Sequence, residues 1–202
     1  MADGTRKQLG AWYTPPELVD LVADAVIDEQ FVRRRFRAGG RLRVLDPACG
    51  DGRFLRAVAE RVVAIGSGGR LELVGIDIDP DAAAATRAAL PDVEVHCCDA
   101  LDRDWSDEAF DLVIGNPPFL SQLASATTRG RASERGGGPY ADVAAEFVDL
   151  GAALVEPAGG RLAMVLPQSL LSARDAEPIR RRIDERGTMV WSGWSRERIF
   201  DA

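Results

Sequence analysis

An apolar run at residues 111–115 stops at Asn116-Pro117-Pro118-Phe119, and this tetrapeptide has the residue types for chemistry on an amine. A short apolar run that ends at Gly and Asn-Pro is typical of a buried parallel strand that runs into an irregular turn. Prolines fix φ and lack an N–H group, so the turn is stiff and offers few competing donors. In open α/β sheets, ligands bind at the carboxyl ends of strands. The motif therefore suits a flat molecule that carries an amino group.

Amine methylation is the reaction that fits these groups. The lone pair of an exocyclic nucleobase amine is delocalised into the ring, and two acceptors aimed at its hydrogens would localise it. The Asn116 side-chain oxygen and the Pro117 carbonyl are the candidate acceptors. Phe119 can stack on the base, which is worth about 1–3 kcal/mol. Catalysis would then be positioning by fixed dipoles. The alternative is a structural proline turn, in which Phe119 packs in the core.

A candidate cofactor loop, Asp-Pro-Ala-Cys-Gly-Asp-Gly at residues 46–52, follows an earlier strand and opens a helix. Its glycines allow the backbone to approach a ligand, and Asp77 ends the next strand, where an acidic group binds ribose hydroxyls. The dinucleotide fingerprint is incomplete because Leu55 takes its third glycine position. Asp46 suits an ammonium or sulfonium better than a pyrophosphate, which favours S-adenosylmethionine over NAD. Ile78 is a candidate to cover one face of the cofactor's adenine, and Asp99 is a candidate to accept from the adenine amino group. The alternative role for Asp77 and for Asp99 is helix capping or turn formation.

Composition restricts the class of protein. The 202 residues fit one domain, with 46% hydrophobic and 28% charged residues. The sequence contains neither an apolar stretch of membrane-spanning length nor a signal peptide at its start. Three cysteines do not make a disulfide framework, so we expect a cytoplasmic protein. His96-Cys97-Cys98 lacks the spacing of a zinc site, and no metal is expected.

Charge is less informative. The net charge of −7 does not favour phosphate contacts. Basic runs at 33–37, 129–135 and 180–182 are each either solvated surface or a binding patch. The middle run falls in residues 120–139, which lack periodicity and predict a flexible loop: either a mobile lid on DNA phosphates or a solvated insert.

Alternating strand and helix signals predict a doubly wound, mostly parallel sheet. Thr14-Pro15-Pro16-Glu17 reads as a capping box for the first helix. Later helices are predicted at 54–65, 79–90, 141–155 and 173–186. The predicted strands are 42–45, 71–78, 93–97, 112–114, 161–166 and 188–194.

These motifs, in this order, resemble the class I S-adenosylmethionine-dependent N6-adenine DNA methyltransferases of the gamma arrangement. The matching segments are Trp12-Tyr13-Thr14-Pro15, residues 46–52, Gly75-Ile76-Asp77-Ile78, Cys98-Asp99-Ala100 and the Asn-Pro-Pro-Phe turn. The resemblance covers nearly the whole chain. It implies that S-adenosyl-L-methionine is bound by Tyr13, Thr14, Pro15, Asp46, Ala48, Gly50, Asp77, Ile78, Asp99, Ala100 and Asn116. It further implies that Asn116, Pro117, Pro118 and Phe119 hold a flipped adenine of double-stranded DNA. Phe119 replaces the more familiar Tyr and keeps the stacking face.

The chain departs from this family in one respect. It stops at Ala202, before the fold's last antiparallel strand and before a target-recognition domain. We therefore expect residues 1–202 to be the N-terminal catalytic portion of a longer restriction–modification or phage-defence enzyme, a split subunit that needs a partner, or a remnant. Two alternatives stay open. The first is N-methylation of RNA or protein glutamine, and the second is an inactive cofactor-binding fragment.

Overall fold

A five-stranded parallel sheet organises the chain, with strand order β3-β2-β1-β4-β5. The computed structural model describes residues 14–37, 40–66, 68–119 and 142–195. Each pair of neighbouring strands is parallel. The strands are β1 (Arg41–Asp46), β2 (Arg70–Asp77), β3 (Glu94–Cys97), β4 (Leu112–Gly115) and β5 (Arg161–Met164). The predicted doubly wound, Rossmann-like class is confirmed, and the first five predicted strands are all present.

Burial explains why β1 and β4 occupy the centre of the sheet. Leu42, Val44 and Leu45 of β1 have no exposed surface, and all four residues of β4 are buried. A strand covered on both faces reads as a continuous apolar run, and this is how residues 111–115 read in the sequence.

The described helices are α1 (Pro16–Val26), α2 (Glu29–Phe36), α3 (Arg53–Ile65), α4 (Pro80–Ala89), α5 (Val143–Leu154), α6 (Ser169–Ser172) and α7 (Glu177–Arg186), with a 3₁₀ turn at Arg174–Ala176. Helix α3 contacts β1 and β2, and α4 contacts β2 and β3. Right-handed crossovers place these two helices on the same face of the sheet. Helix α1 contacts α3 and β5, and α2 contacts β1.

The chain divides into two compact units. The sheet unit is Thr14–Asn116 with Leu154–Met164, and it holds all five strands and helices α1 to α4. The second unit includes Pro117–Ala153 and Val165–Ala202. Within its described residues it holds most of α5, together with α6 and α7. In this unit Arg182 on α7 donates to Asp149 on α5 at 2.9 Å.

Three predictions about elements were wrong. The sixth strand is absent among the described residues, and 187–195 is irregular chain in which Val190 is 90% and Trp194 80% exposed. Apolar and aromatic residues favour a strand only when a neighbouring strand and a buried face are available. Among the described residues, this segment has neither a partner strand nor a buried face. The helix predicted from 173 starts at Glu177, because Pro178 lacks an N–H and is tolerated only in a first helical turn.

The third error is the capping box. Helix α1 begins at Pro16 with Pro15 as its N-cap, and no side chain caps it. The start is therefore one residue later than the Thr-x-x-Glu pattern requires. Helix α2 was not predicted. Its N-cap is Asp28, which accepts from the Phe31 N–H at 2.7 Å.

The remaining expectations concern residues outside the described ranges. These are Tyr13, the loop 120–139 with its basic run, and residues 196–202. None of the described helices has both the length and the apolar character needed to cross a bilayer.

Candidate functional site

The strand order of the sheet reverses between β1 and β4, and the candidate site lies at this point. Asp46 is the last residue of β1, and Asn116 directly follows β4. The two strands are paired in register, with Leu45 opposite Val113. Ligands of open α/β sheets bind at such switch points, beyond the carboxyl ends of the strands. The predicted cofactor loop and the predicted catalytic Asn therefore occupy neighbouring strand ends.

The loop after β1 has the conformation that its glycines predict. Gly50 and Gly52 have φ angles of 55° and 81°, a region that strains other residues. The Cys49 N–H donates to the Ile76 carbonyl of β2 at 2.8 Å, and the Thr86 hydroxyl of α4 donates to the Gly50 carbonyl at 2.8 Å. Neighbouring elements thus fix the loop, and α3 starts immediately after it.

Asp46 is an acid held inside the protein. Its side chain is 1% exposed, and its Oδ1 accepts from the Ala48 N–H at 3.1 Å. Burial raises the pKa of Asp46 to about 8, against the lowering effect of that bond, and the charges of Asp77 and Asp51 raise it further. None of the cations that the structure describes pairs with this carboxylate. A cationic ligand beside it would offset the cost of the buried charge.

Gly115 makes room for the Asp46 carboxylate. A Cβ at residue 115 would lie 2.5 Å from Asp46 Oδ1, so a side chain there would displace the acid. The Asp46 carboxylate therefore lies against the backbone of the residue that precedes Asn116. A ligand group held by Asp46 would be close to the end of β4.

Asp77 at the end of β2 faces the same loop. Its Oδ2 accepts from the Gly50 N–H and its Oδ1 from the Asp79 N–H, each at 2.8 Å. Burial raises the pKa of Asp77, against the lowering effect of these two bonds. Helix α4 is capped by Asp79, which accepts from Asp81. Asp77 is therefore not the helix cap, but its bond to the Asp79 N–H is the turn-forming role considered for this Asp. Its bond to the Gly50 N–H also orders the loop, and Ile78 next to it is 56% exposed.

Asp99 and Ala100 follow β3 in a turn. Asp99 Oδ1 accepts from the Leu101 N–H at 2.9 Å, so the turn-forming role considered for this Asp is present. Ala100 is buried, and its carbonyl accepts from the Trp105 indole at 2.8 Å. Their contact with a cofactor stays a prediction.

Asn116 has one satisfied and one unsatisfied side-chain group. Its Nδ2 donates to Thr14 Oγ1 at 2.9 Å, and Thr14 is 6% exposed. Its Oδ1 is buried and has no hydrogen-bond partner among the residues that the structure describes. Buried polar atoms without a partner are rare, and they are worth explaining when they occur at a candidate site. An acceptor that is free and already shielded from water is what an incoming amine requires.

The other three residues of the tetrapeptide belong to the second unit. Pro117 is buried, and Pro118 and Phe119 are partly buried. Their roles toward a base stay predictions.

Sequence reasoning missed Arg53, the first residue of α3. Its Nη1 donates to the Thr14 carbonyl at 2.9 Å, and its Nε pairs with Asp51 at 2.9 Å. A signal was present, because a basic residue in a first helical turn opposes the helix dipole and needs another reason to be there. Here the reason is that Arg53 connects the cofactor loop to Thr14.

Comparisons with known proteins identify the family to which the chain belongs. The family model described as N-6 DNA Methylase matches residues 1–189. The chain is 40% identical over 114 residues to type II methyltransferase M.TthHB8I of Thermus thermophilus, covering 56% of this chain and 22% of that protein. It is 29% identical over 133 residues to type II methyltransferase M.BanIII of Aneurinibacillus aneurinilyticus, covering 57% and 23%. The matches thus span about a quarter of the curated relatives.

Solved structures show the same fold. The methyltransferase subunit of a type I restriction-modification system from Streptococcus thermophilus superposes with a TM-score of 0.63 at 21% identity, covering 85% of this chain and 38% of that one. A Listeria monocytogenes protein assigned to the class I S-adenosylmethionine-dependent methyltransferases also gives 0.63, at 19% identity, covering 85% and 51%. With the family model matching most of its length, the chain belongs to the N-6 DNA methylase family.

Proposed function

We propose that this chain is the catalytic portion of a DNA methyltransferase that transfers a methyl group from S-adenosyl-L-methionine to N6 of adenine. The observation that carries the proposal is the buried, unpartnered Asn116 Oδ1 at the end of β4, next to the strand that ends in Asp46. Membership of the N-6 DNA methylase family and the type I and type II restriction-modification relatives support it.

The residues present fit this cofactor. A buried acid without a described cation partner suits the cofactor's ammonium group, whereas it would repel a pyrophosphate. Backbone at Gly50 and the acid at Asp77 are suited to its ribose, with Thr14, Pro15, Ala48, Ile78, Asp99 and Ala100 as further binding residues and Tyr13 from the preceding segment. When bound, S-adenosylmethionine supplies a methyl group on a positively charged sulfur.

The chain's own part in the reaction is to hold the amine. Asn116 Oδ1 would accept one hydrogen of the adenine N6, the Pro117 carbonyl would accept the other, and Pro118 would stiffen the turn. Phe119 would stack on the flipped base. With N6 held in this way, the bound cofactor would supply the methyl group, and the proton that N6 loses would pass to water. No general base is required, so the residues contribute position and fixed dipoles.

Target recognition is a second part of the proposal. The matched relatives are about four times as long as the matched regions, and this chain has a net charge of −7. We propose that a recognition domain or partner subunit supplies most of the positive surface for DNA, and that the protein works in the cytoplasm within a restriction–modification or phage-defence system.

A methylation assay tests the proposal. The protein is incubated with S-adenosylmethionine and adenine-unmethylated duplex DNA, and the digested nucleosides are analysed by mass spectrometry, with RNA and a protein-glutamine substrate in parallel. We expect N6-methyldeoxyadenosine from DNA. Asn116→Ala should abolish the product while the cofactor Kd stays within a few-fold of wild type. Methylation of RNA or protein alone, cofactor binding without transfer to any substrate, or loss of cofactor binding in Asn116→Ala would each contradict it.

A further inference from the structure

The Thr14 hydroxyl occupies the donating side of the Asn116 carboxamide. A carboxamide has a donating and an accepting side, and rotation by 180° exchanges them. In the structure Thr14 Oγ1 accepts from Nδ2 at 2.9 Å, and among the described residues Oδ1 is left as the free acceptor. A hydroxyl can also donate, so the opposite rotamer would keep a bond to Thr14, but it would aim an N–H at an incoming amine, and two donors repel each other.

Thr14 is itself held firmly enough to act in this way. Its side chain is buried, and its carbonyl accepts from Arg53 Nη1 at 2.9 Å. Arg53 in turn pairs through Nε with Asp51 of the cofactor loop, at 2.9 and 3.1 Å to the two carboxylate oxygens. A continuous set of contacts therefore runs from the cofactor loop through Arg53 and Thr14 to Asn116. All four residues belong to the sheet unit.

We propose that Thr14 is a positioning residue for methyl transfer, whose hydroxyl anchors the Asn116 carboxamide and thereby holds its oxygen at the place where the target amine arrives. This rests on the proposed function, and it adds to the cofactor-binding role that the sequence predicts for Thr14. Thr14 would act through Asn116 and would not touch the reacting atoms. Its loss should therefore lower the rate of methyl transfer more than it changes cofactor affinity.

The experiment compares Thr14→Val, which keeps the shape and removes the hydroxyl, with Thr14→Ser, which keeps the hydroxyl, in the full-length protein. Because T14V loses the hydrogen bond that positions Asn116, its kcat should fall about tenfold. The cofactor Kd should change less than about threefold, and T14S should restore most of the lost rate. Thr188→Val is the control, because it removes the hydroxyl of an exposed threonine that lies outside the proposed site. It should leave both kcat and the cofactor Kd near wild type.

A second measurement does not depend on activity. The side-chain ¹⁵N–H₂ resonances of Asn116, assigned by their absence in Asn116→Ala, should show a hydrogen-bonded proton in wild type and T14S that is lost in T14V. Equal kcat in wild type and T14V, or unchanged Asn116 resonances, would overturn the inference even if wild type methylates DNA. If wild type transfers no methyl group to DNA, the proposed function fails, and the resonances alone still decide whether Thr14 orients the carboxamide.

Discussion

At the scale of single residues, the site keeps two polar groups in unfavourable states. Asn116 Oδ1 is buried without a partner, and Asp46 is a buried acid whose nearest charged neighbours are other acids. Each costs stability in the ligand-free protein. The target amine would give Asn116 Oδ1 a hydrogen-bond donor, and the cofactor's ammonium group would give Asp46 a cation. Polar groups in such states are a common feature of binding sites.

The pH dependence of stability should reveal Asp46. Its folded pKa is raised to about 8 from an unfolded value of 3.8, so between these pH values the folded state holds a proton that the unfolded state has lost. The contribution of protonated Asp46 to the free energy of unfolding is fully present below about pH 4 and is lost as pH rises through 8. Asp46→Asn removes this dependence. We expect the variant's free energy of unfolding, relative to wild type, to increase by roughly 3–4 kcal/mol from pH 5 to pH 8.

Denaturant titrations of both proteins across this pH range measure the difference. Asp184→Asn makes the same change at an exposed position of α7 and controls for the loss of one carboxylate. Parallel pH profiles for wild type and Asp46→Asn would mean that Asp46 is ionised in the folded protein at neutral pH.

At the scale of elements, helix α2 uses its arginines for attachment as well as for solubility. Arg35 pairs with Asp111 at 2.9 Å, with both side chains 13% exposed, and also donates to the Ala158 carbonyl at 3.2 Å. Arg34 donates to the same carbonyl at 2.6 Å. These contacts join α2 to the residue before β4 and to the turn before β5. Part of the basic run at residues 33–37 is therefore structural, whereas the sequence suggested either solvated surface or a binding patch.

Two arginines of this helix should differ in their effect on stability. Arg35→Met leaves Asp111 without its largely buried cation and should lower the free energy of unfolding by about 2 kcal/mol. Arg33→Met is the matched control on the same helix. Its pair with Glu29 is 61% and 65% exposed, so it should cost less than about 0.5 kcal/mol. Urea denaturation measures both variants, and equal losses would show that Arg35 is not an anchor.

The sequence predicted the elements whose signals are local and consistent. Strands β1 to β5 read as short apolar runs, and α3 and α4 follow turns rich in Gly, Asp or Pro, so pattern and position agreed. The sixth strand failed because its apolar residues needed a neighbour that the described chain does not provide. Helix α2 was missed because an arginine run hides an apolar face made by Phe31, Val32 and Phe36, all of them buried.

The site was predicted in part for the same reason. Asp46, Gly50 and Asp77 stand at strand ends that the sequence marks, and the sheet brings them together. Thr14 could not be paired with Asn116 or with Arg53 in this way, because contacts across 102 and 39 positions depend on how α1 and α3 pack. The resemblance placed Thr14 near the cofactor. The capping-box pattern, however, predicted that its side chain bonds to the first turn of α1, whereas in the structure it bonds to Asn116.

At the scale of the whole molecule, one of the two units holds nearly all the groups proposed for the cofactor. The sheet unit contains Thr14, Asp46 and Asp77 for the cofactor, and it also contains Asn116, which is proposed for the base. Pro117 and Phe119, also proposed for the base, belong to the second unit. Cofactor binding should therefore depend on the sheet unit's residues and be measurable without DNA.

Ligand-induced stabilisation tests this. A ligand that binds only the folded state at about 100 times its Kd adds about 2.7 kcal/mol, which raises Tm by roughly 5–10 °C for a chain of this size. We expect this shift with S-adenosylmethionine and not with NAD, because the pyrophosphate would face the acids at 46 and 77. Asp77→Ala should remove most of the shift. Asp79→Ala is the control: losing the α4 cap lowers the starting Tm, by about 1 kcal/mol of stability, but should leave the ligand-induced shift intact. A full shift in Asp77→Ala, or an equal shift with NAD, would contradict the assignment of this loop to a cationic cofactor.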